Sequence, residues 1–368
     1  MHTFPFLIGS HASSALPSIH RCTADFDSET FVTASTCQGI SDPTYLAASS
    51  DQTLYAIGRV SGVGAVYALK GQDILSTFPS GGNGPCHISV DARGEFLLCA
   101  NYASGSVSLY VLARDGSIDS LCDFRQYTGA GFDSGDRQKG PHAHFAAFHS
   151  EREEVLVCDL GLDTVYVYEL DRRSRKLRET GRSIRLPDGS GPRHLAFSAA
   201  HPGMLFVLTE MANTIFSFRF DPVNCRYVLE QQISAVYDAR CGICPPSRDL
   251  MQPAGADNGS IGCAIRFTQD GKYLFVSSRL GYQSISAFFC DPGGRLRFCS
   301  RSLCGGITPR DFHVFEGSGA HEGIVHLLVA NQDSDLITAL SFDRRSEELS
   351  LLKMKMQVIK PTCILPIR

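Results

Sequence analysis

The 368-residue chain contains no tryptophan. That removes the WD dipeptide of WD-type repeats and a common class of protein-interface anchor. Basic charge is not in excess either: 34 Lys and Arg stand against 38 Asp and Glu, a formal net charge of -4. A protein that works by neutralising many nucleic-acid phosphates needs a basic surface, so nucleic acid is not expected as a partner. No apolar run reaches the length that spans a bilayer. Residues 1–9 lack a cationic segment followed by a long apolar stretch, which points to a cytoplasmic protein without membrane association. Helical periodicity is nowhere sustained, and no G-x-S-x-G nucleophile setting occurs. Cysteine, by contrast, is abundant, with 14 residues. Several sit inside apolar runs, such as Cys99 in FLLCANY and Cys158 in VLVCDL, where a small buried thiol packs well, so reduced thiols are expected.

What is present is a repeat. A Gly/Pro punctuation, an apolar strand, a turn, a second apolar strand, a polar turn and a third strand recur along the chain. The clearest copies are GPCHISVDARGEFLLCANYASGSVSLY from residue 84, GPHAHFAAFHSEREEVLVCDLGLDTVYVY from residue 140 and GPRHLAFSAAHPGMLFVLTEMANTIFSF from residue 191. Weaker copies start at Asp42, Gly262, Pro309 and Pro361, making seven starts. A spacing of roughly 50 residues falls in the range of propeller repeats. The last start leaves room for one strand, whereas strand-like stretches precede the first, so the two ends should complete one blade and remove the exposed sheet edges. The expectation is an all-β, seven-bladed β-propeller with blades of four antiparallel strands, forming one domain over residues 1–368.

Two stretches depart from the repeat. Residues 221–260 are rich in Pro, Gly, Cys and Asp, and residues 316–323 read EGSGAHEG; both are expected to be surface loops. The first holds Cys241 and Cys244 as C-x-x-C, a zinc or redox spacing that needs two further ligands, for which Cys225 and Cys263 are the candidates. A plain loop is the competing reading.

In each repeat the second strand returns antiparallel to the first, so the start of strand one neighbours the end of strand two. Polar residues at these places should gather on one rim, around the mouth of the central channel. They are His87 with Asn101 and Tyr102, His142 and His144 with Asp159, and Arg193 and His194 with Glu210. Arg266 and Arg279 follow, then Arg310 with Asn331, Gln332 and Asp333. Guanidinium forks bind carboxylate or phosphate, and imidazoles move protons near neutral pH. Such a rim suits a small anionic substrate. Plainer readings stand beside this one: an Arg310–Asp333 structural ion pair, and His87 and His194 as buried, backbone-bonded histidines. His142-Ala-His144 offers a metal only two ligands, so no metal is assigned. Arg193 and Glu210 have the strongest functional case.

The strings GPCHISVD, CANYASGSVS, GPHAH, DLGLDTVYVYELD, GPRHLAF, IRFTQDGKYLFVSSR and VANQDSD resemble the propeller-type 6-phosphogluconolactonase family over nearly the whole chain. The family also includes carboxymuconate-cyclising enzymes. What that cyclising branch implies is an active set of His142 or His144, Arg193, Glu210 and Arg266; the remaining rim residues, His87, Asn101, His144, Asp159, His194, Arg279, Arg310 and Asn331, are the expected substrate contacts. Two departures touch the substrate contacts: Gly58-Arg59 stands where the family often has Asn-Glu, and Ser278 precedes Arg279 in place of Asn. The resemblance implies hydrolysis of a sugar-acid lactone, 6-phosphoglucono-δ-lactone first, by direct attack of water and without a cofactor. Arg193 and Arg266 would hold phosphate or polarise the carbonyl, and His142, His144 or Glu210 would act as base. A muconate lactone isomerase, and a non-catalytic propeller presenting its rim to a protein partner, are the alternatives.

Overall fold

The computed structural model describes residues 2–133, 137–236 and 259–367. Its secondary structure is almost entirely β, arranged as seven four-stranded antiparallel sheets. Six sheets are built from consecutive strands, over residues 46–79, 85–126, 143–185, 192–234, 261–303 and 309–357. In the seventh, Pro361–Pro366 pairs with Thr3–Ser10, followed by Ile19–Asp25 and Thr30–Cys37, so the two chain ends share one blade. The fold is a seven-bladed β-propeller.

Within a blade the second strand is the most deeply buried. Phe96–Asn101, Glu154–Asp159 and Met204–Thr209 are buried at every position, because both faces of their sheets are covered. Fourth strands are mostly exposed and part-buried, as in Thr30–Cys37 and Ile118–Gln126. The chain groups into two compact units. One contains residues 9–19 and 37–192, with the blades at 46–79, 85–126 and 143–185; its core lies between blade faces, with Leu98, Leu109 and Val157 in one cluster and Tyr55, Val66 and Leu97 in another. The other contains residues 1–8, 20–36 and 193–368, with the remaining blades. Its cores form around Phe206 and Val276, around Phe275 and Leu327, and around Phe6 and Leu328.

One loop expectation needs correction. Arg226–Ser234, inside the stretch assigned to a loop, is the fourth strand of its blade and pairs with Thr214–Asp221. Its apolar residues give no clean alternation, Val228 and Leu229 both being exposed, so the strand has a weak period-two signal. The other departure, residues 316–323, is a connection containing a short 3₁₀ turn, Gly319–His321. Cys241 and Cys244 lie outside the described residues. Of their proposed co-ligands, Cys225 is exposed with its thiol toward the Pro222 carbonyl, whereas Cys263 is buried and donates to the Arg310 carbonyl at 3.0 Å. Among the described residues, no helix is long and apolar enough to cross a membrane.

Candidate active site

Strand pairing places the start of each first strand against the end of the second. Pro85 pairs with Asn101, Ala143 with Asp159, Ile261 with Arg279 and Pro309 with Asn331. Most polar residues read from the repeat therefore sit at matching strand ends of their own blades, and each unit carries its own cluster; Arg266 does not, because it pairs with Phe275, toward the other end of Ile261–Phe267 from the Ile261–Arg279 pair.

In the unit containing residues 193–368, Arg193 enters from Pro192–Ala196 and Glu210 directly follows Met204–Thr209. Arg193 Nε donates to Glu210 Oε2 at 2.8 Å, and Arg279 Nη2 donates to Oε1 at 3.0 Å. One carboxylate thus orients two guanidinium groups. Arg193 also donates through Nη1 to the Cys263 carbonyl and to His194 Nε2, the latter at 2.9 Å. Since arginine only donates, His194 accepts through Nε2 and its hydrogen lies on Nδ1. Gly262 permits the close approach: its N–H donates to the Glu210 carbonyl at 3.0 Å, and a Cβ there would meet the Thr209 carbonyl at 2.5 Å.

The arginines differ in access. The Arg193 side chain is 2% exposed and that of Arg279 17%. Arg310 is half-buried and donates to the neutral Gln332 Oε1 at 3.0 Å. Burial, followed by the charges of Arg193 and Arg279, holds the Arg310 guanidinium below its ordinary value. The Arg310–Asp333 pair is replaced by another arrangement: Asp333 accepts the Thr308 hydroxyl at 2.5 Å and the Gln332 amide at 3.3 Å.

Arg266 lies three residues beyond Cys263 and is turned to other partners. It donates to the Phe312 carbonyl at 2.6 Å and to Asp311 Oδ1 at 2.9 Å, while Asp311 Oδ2 accepts the Ile364 N–H at 3.0 Å. That linkage ties three blades together, a structural task. Asn331 is likewise structural, donating to Thr338 Oγ1 at 2.9 Å from a fully buried position.

In the unit containing residues 37–192, His142 is half-buried just ahead of Ala143–Phe148. Its Nδ1 lies 2.9 Å from the Tyr102 carbonyl, and its ring stacks on Tyr102 at 4.3 Å and 10°. A carbonyl only accepts, so Nδ1 carries the hydrogen and the neutral ring keeps its lone pair on Nε2. His144 meets the Tyr102 ring edge-on at 5.5 Å. Asp159 is fully buried; its Oδ1 accepts the N–H groups of His142 at 2.8 Å and Leu162 at 3.1 Å, while Oδ2 has no hydrogen-bond partner among the described residues. Burial pushes its carboxyl up to about 6 against these backbone bonds. His87 is packed between Tyr45 and Phe145, at 4.3 and 3.9 Å, with the Ala146 N–H directed at Nδ1. Asn101 is fully buried and donates to the Ser80 carbonyl at 3.0 Å. Both fit a structural role. Tyr102 and Gln332, named only as neighbours in the sequence reading, prove to organise His142 and Arg310.

A family model described as "Lactonase, 7-bladed beta-propeller" matches residues 5–366. The chain belongs to that family. It is a lactonase, similar at 31% identity over 367 residues to a 6-phosphogluconolactonase of Bacillus subtilis, covering 97% of this chain and 96% of that protein. A solved structure of a Lactobacillus plantarum protein matches the lactonase with a TM-score of 0.84 at 27% identity, covering 100% of both chains. The periplasmic gluconolactonase of Pseudomonas aeruginosa matches with a TM-score of 0.82 over 100% of this chain and 99% of that one. At 24% identity this second likeness speaks for the fold.

Proposed function

We propose that this lactonase hydrolyses 6-phosphoglucono-δ-lactone to 6-phosphogluconate, the sugar-acid reaction of the pentose phosphate pathway. The observation that carries the substrate choice is the charge of the arginine cluster. Arg193 and Arg279 share the single carboxylate of Glu210, and Arg310 bonds a neutral amide. An anionic ligand group relieves the mutual repulsion of these guanidinium groups, and a phosphate accepts several N–H donors at once. Arg279 and Arg310, the more accessible pair, are assigned to the ligand; Glu210, itself fixed by Arg193, holds Arg279, and Gln332 holds Arg310.

In the reaction, water oxygen bonds to the lactone carbonyl carbon while a base takes a water proton. The tetrahedral intermediate then breaks the ring C–O bond, and the departing oxygen takes a proton to become a hydroxyl. Both oxygens of Glu210 accept from guanidinium groups, which favours a positioning role for it. His142, whose Nδ1–H is fixed on the Tyr102 carbonyl, has the chemistry of the base through Nε2. The Bacillus subtilis relative bears the name of this activity. A reducing, cytoplasmic setting is part of the proposal and accords with the free cysteines, including buried Cys99 and Cys158. The test is acid release from freshly made 6-phosphoglucono-δ-lactone in a pH-stat, corrected for spontaneous opening. Catalysed release at enzyme-like rates supports the reading; a rate equal to the blank rejects it.

A further inference from the structure

At the strand ends opposite those that carry Arg310 and Asn331, three side chains from distant parts of the chain meet. His2 precedes Thr3–Ser10, Asp27 lies in the turn between Ile19–Asp25 and Thr30–Cys37, and His321 closes the 3₁₀ turn of the connection at 316–323. All belong to the same compact unit. His2 Nδ1 is 3.3 Å from Asp27 Oδ1, and His321 Nε2 is 3.0 Å from the same oxygen. The three potential ligand atoms lie within 4.8 Å of one another. Tetrahedral ligands with bonds of about 2.0–2.1 Å stand about 3.3 Å apart, so little movement separates this arrangement from a coordination shell.

We infer that His2, Asp27 and His321 bind a divalent transition-metal ion, with Zn²⁺ the best-suited occupant, through His2 Nδ1, an Asp27 carboxylate oxygen and His321 Nε2. Two imidazoles and one carboxylate favour such an ion over Ca²⁺ or Mg²⁺, which take oxygen ligands. Water completes the shell. The far nitrogen of each ring already has a partner, the feature that orients metal-bound histidines. As it stands, His2 Nε2 accepts the Ser318 N–H at 3.2 Å and the ring hydrogen lies on Nδ1 toward Asp27; metal binding at Nδ1 moves that hydrogen to Nε2, where Ser318 Oγ, also at 3.2 Å, accepts it. His326 Nε2 lies 3.1 Å from His321 Nδ1 and does the same for the second ring. His326 is itself fixed, buried and stacked on Phe26 at 3.9 Å and 18°. The departure from the repeat at 316–323 thus supplies both a ligand, His321, and the supporting Ser318. The ion ties this connection to the blade that joins the two chain ends.

The test uses the untagged full chain and Co²⁺, followed by visible absorption, with Zn²⁺ as competitor. One Co²⁺ per chain is expected, showing d–d bands without a thiolate-to-cobalt charge-transfer band and displaced by Zn²⁺. His321→Ala and Asp27→Asn should each weaken binding by at least about tenfold. Both variants should melt like the metal-free parent, whereas Zn²⁺ should raise the melting temperature of the parent alone. Failure to bind either ion at micromolar concentration overturns the site. So does a thiolate band, which would place the metal on cysteines such as Cys241 and Cys244, or binding unchanged in both variants.

Discussion

Arg193 and Glu210 form a buried ion pair, Nε to Oε2 at 2.8 Å, and the second oxygen of that carboxylate accepts Arg279 at 3.0 Å. The pair is best understood as a bracket. Arg193 holds Glu210, His194 and the Cys263 carbonyl, and Glu210 in turn presents Arg279.

Breaking that bracket should cost stability as well as activity. Removing one partner of a buried pair leaves the other charge uncompensated, at a cost of about 3–5 kcal/mol. Arg193→Ala is therefore expected to lower both the melting temperature and kcat/KM, with Glu210→Gln following in the same direction. Thermal denaturation beside initial rates checks this. Parent-like melting in both variants would contradict the structural part of the assignment.

His142→Gln should fold normally and lose catalysis. The amide retains polarity but offers no imidazole nitrogen to take the proton from water, a contribution of about 10²–10⁴-fold. The loss should appear in kcat with KM little changed. A variant with parent-like kcat would remove His142 as the base.

Asp159 predicts a specific pH dependence of stability. Its folded value is raised from 3.8 to about 6 by burial, so the folded protein holds this proton more tightly than the unfolded chain. The stability it contributes is fully present below about 4 and is lost as pH rises through 6. Asp159→Asn resembles the protonated acid and keeps an oxygen for the His142 and Leu162 N–H groups. Relative to the parent, the variant should gain on the order of 2–3 kcal/mol between pH 4 and pH 8. Denaturant melts at both pH values measure the difference; parallel profiles would contradict the assignment.

The thiols should react in a defined order. Cys225 is exposed, whereas Cys99 and Cys158 are fully buried and burial holds both thiols well above their ordinary value. Alkylation of the native protein followed by peptide mapping should find Cys225 modified before Cys99 or Cys158. Denaturation should release the buried pair. Early native labelling of Cys158 would mean that its blade opens readily.

The repeat made the fold legible because the second strand of each blade is a dense apolar run, as in FLLCAN and MLFVLT. Fourth strands were harder to read. Arg226–Ser234 has no buried run: its apolar Val228 and Leu229 are exposed and polar residues fill most of the rest, so it lacks the dense signal of the second strands. The same antiparallel logic placed Arg193 with Glu210 and His142 with Asp159. It misplaced Arg266, which lies opposite Phe275 near the far end of its strand and reaches Asp311, and it could not say that His87 is held between two aromatic rings. The His2–Asp27–His321 cluster joins turns and connections that share no repeat position, so no periodicity pointed to it.

The most direct measurement of the central claim is the preference for a phosphorylated lactone over its uncharged counterpart. It is taken as the ratio of kcat/KM for 6-phosphoglucono-δ-lactone to that for glucono-δ-lactone, in the parent and in Arg279→Ala. If Arg279 and Arg310 hold the anionic group, the parent should favour the phosphorylated substrate, and Arg279→Ala should lose on the order of 100-fold in that ratio while melting near the parent. An unchanged ratio in a folded variant, or a parent that does not distinguish the two lactones, would contradict the assignment of the arginine cluster to the substrate's charge.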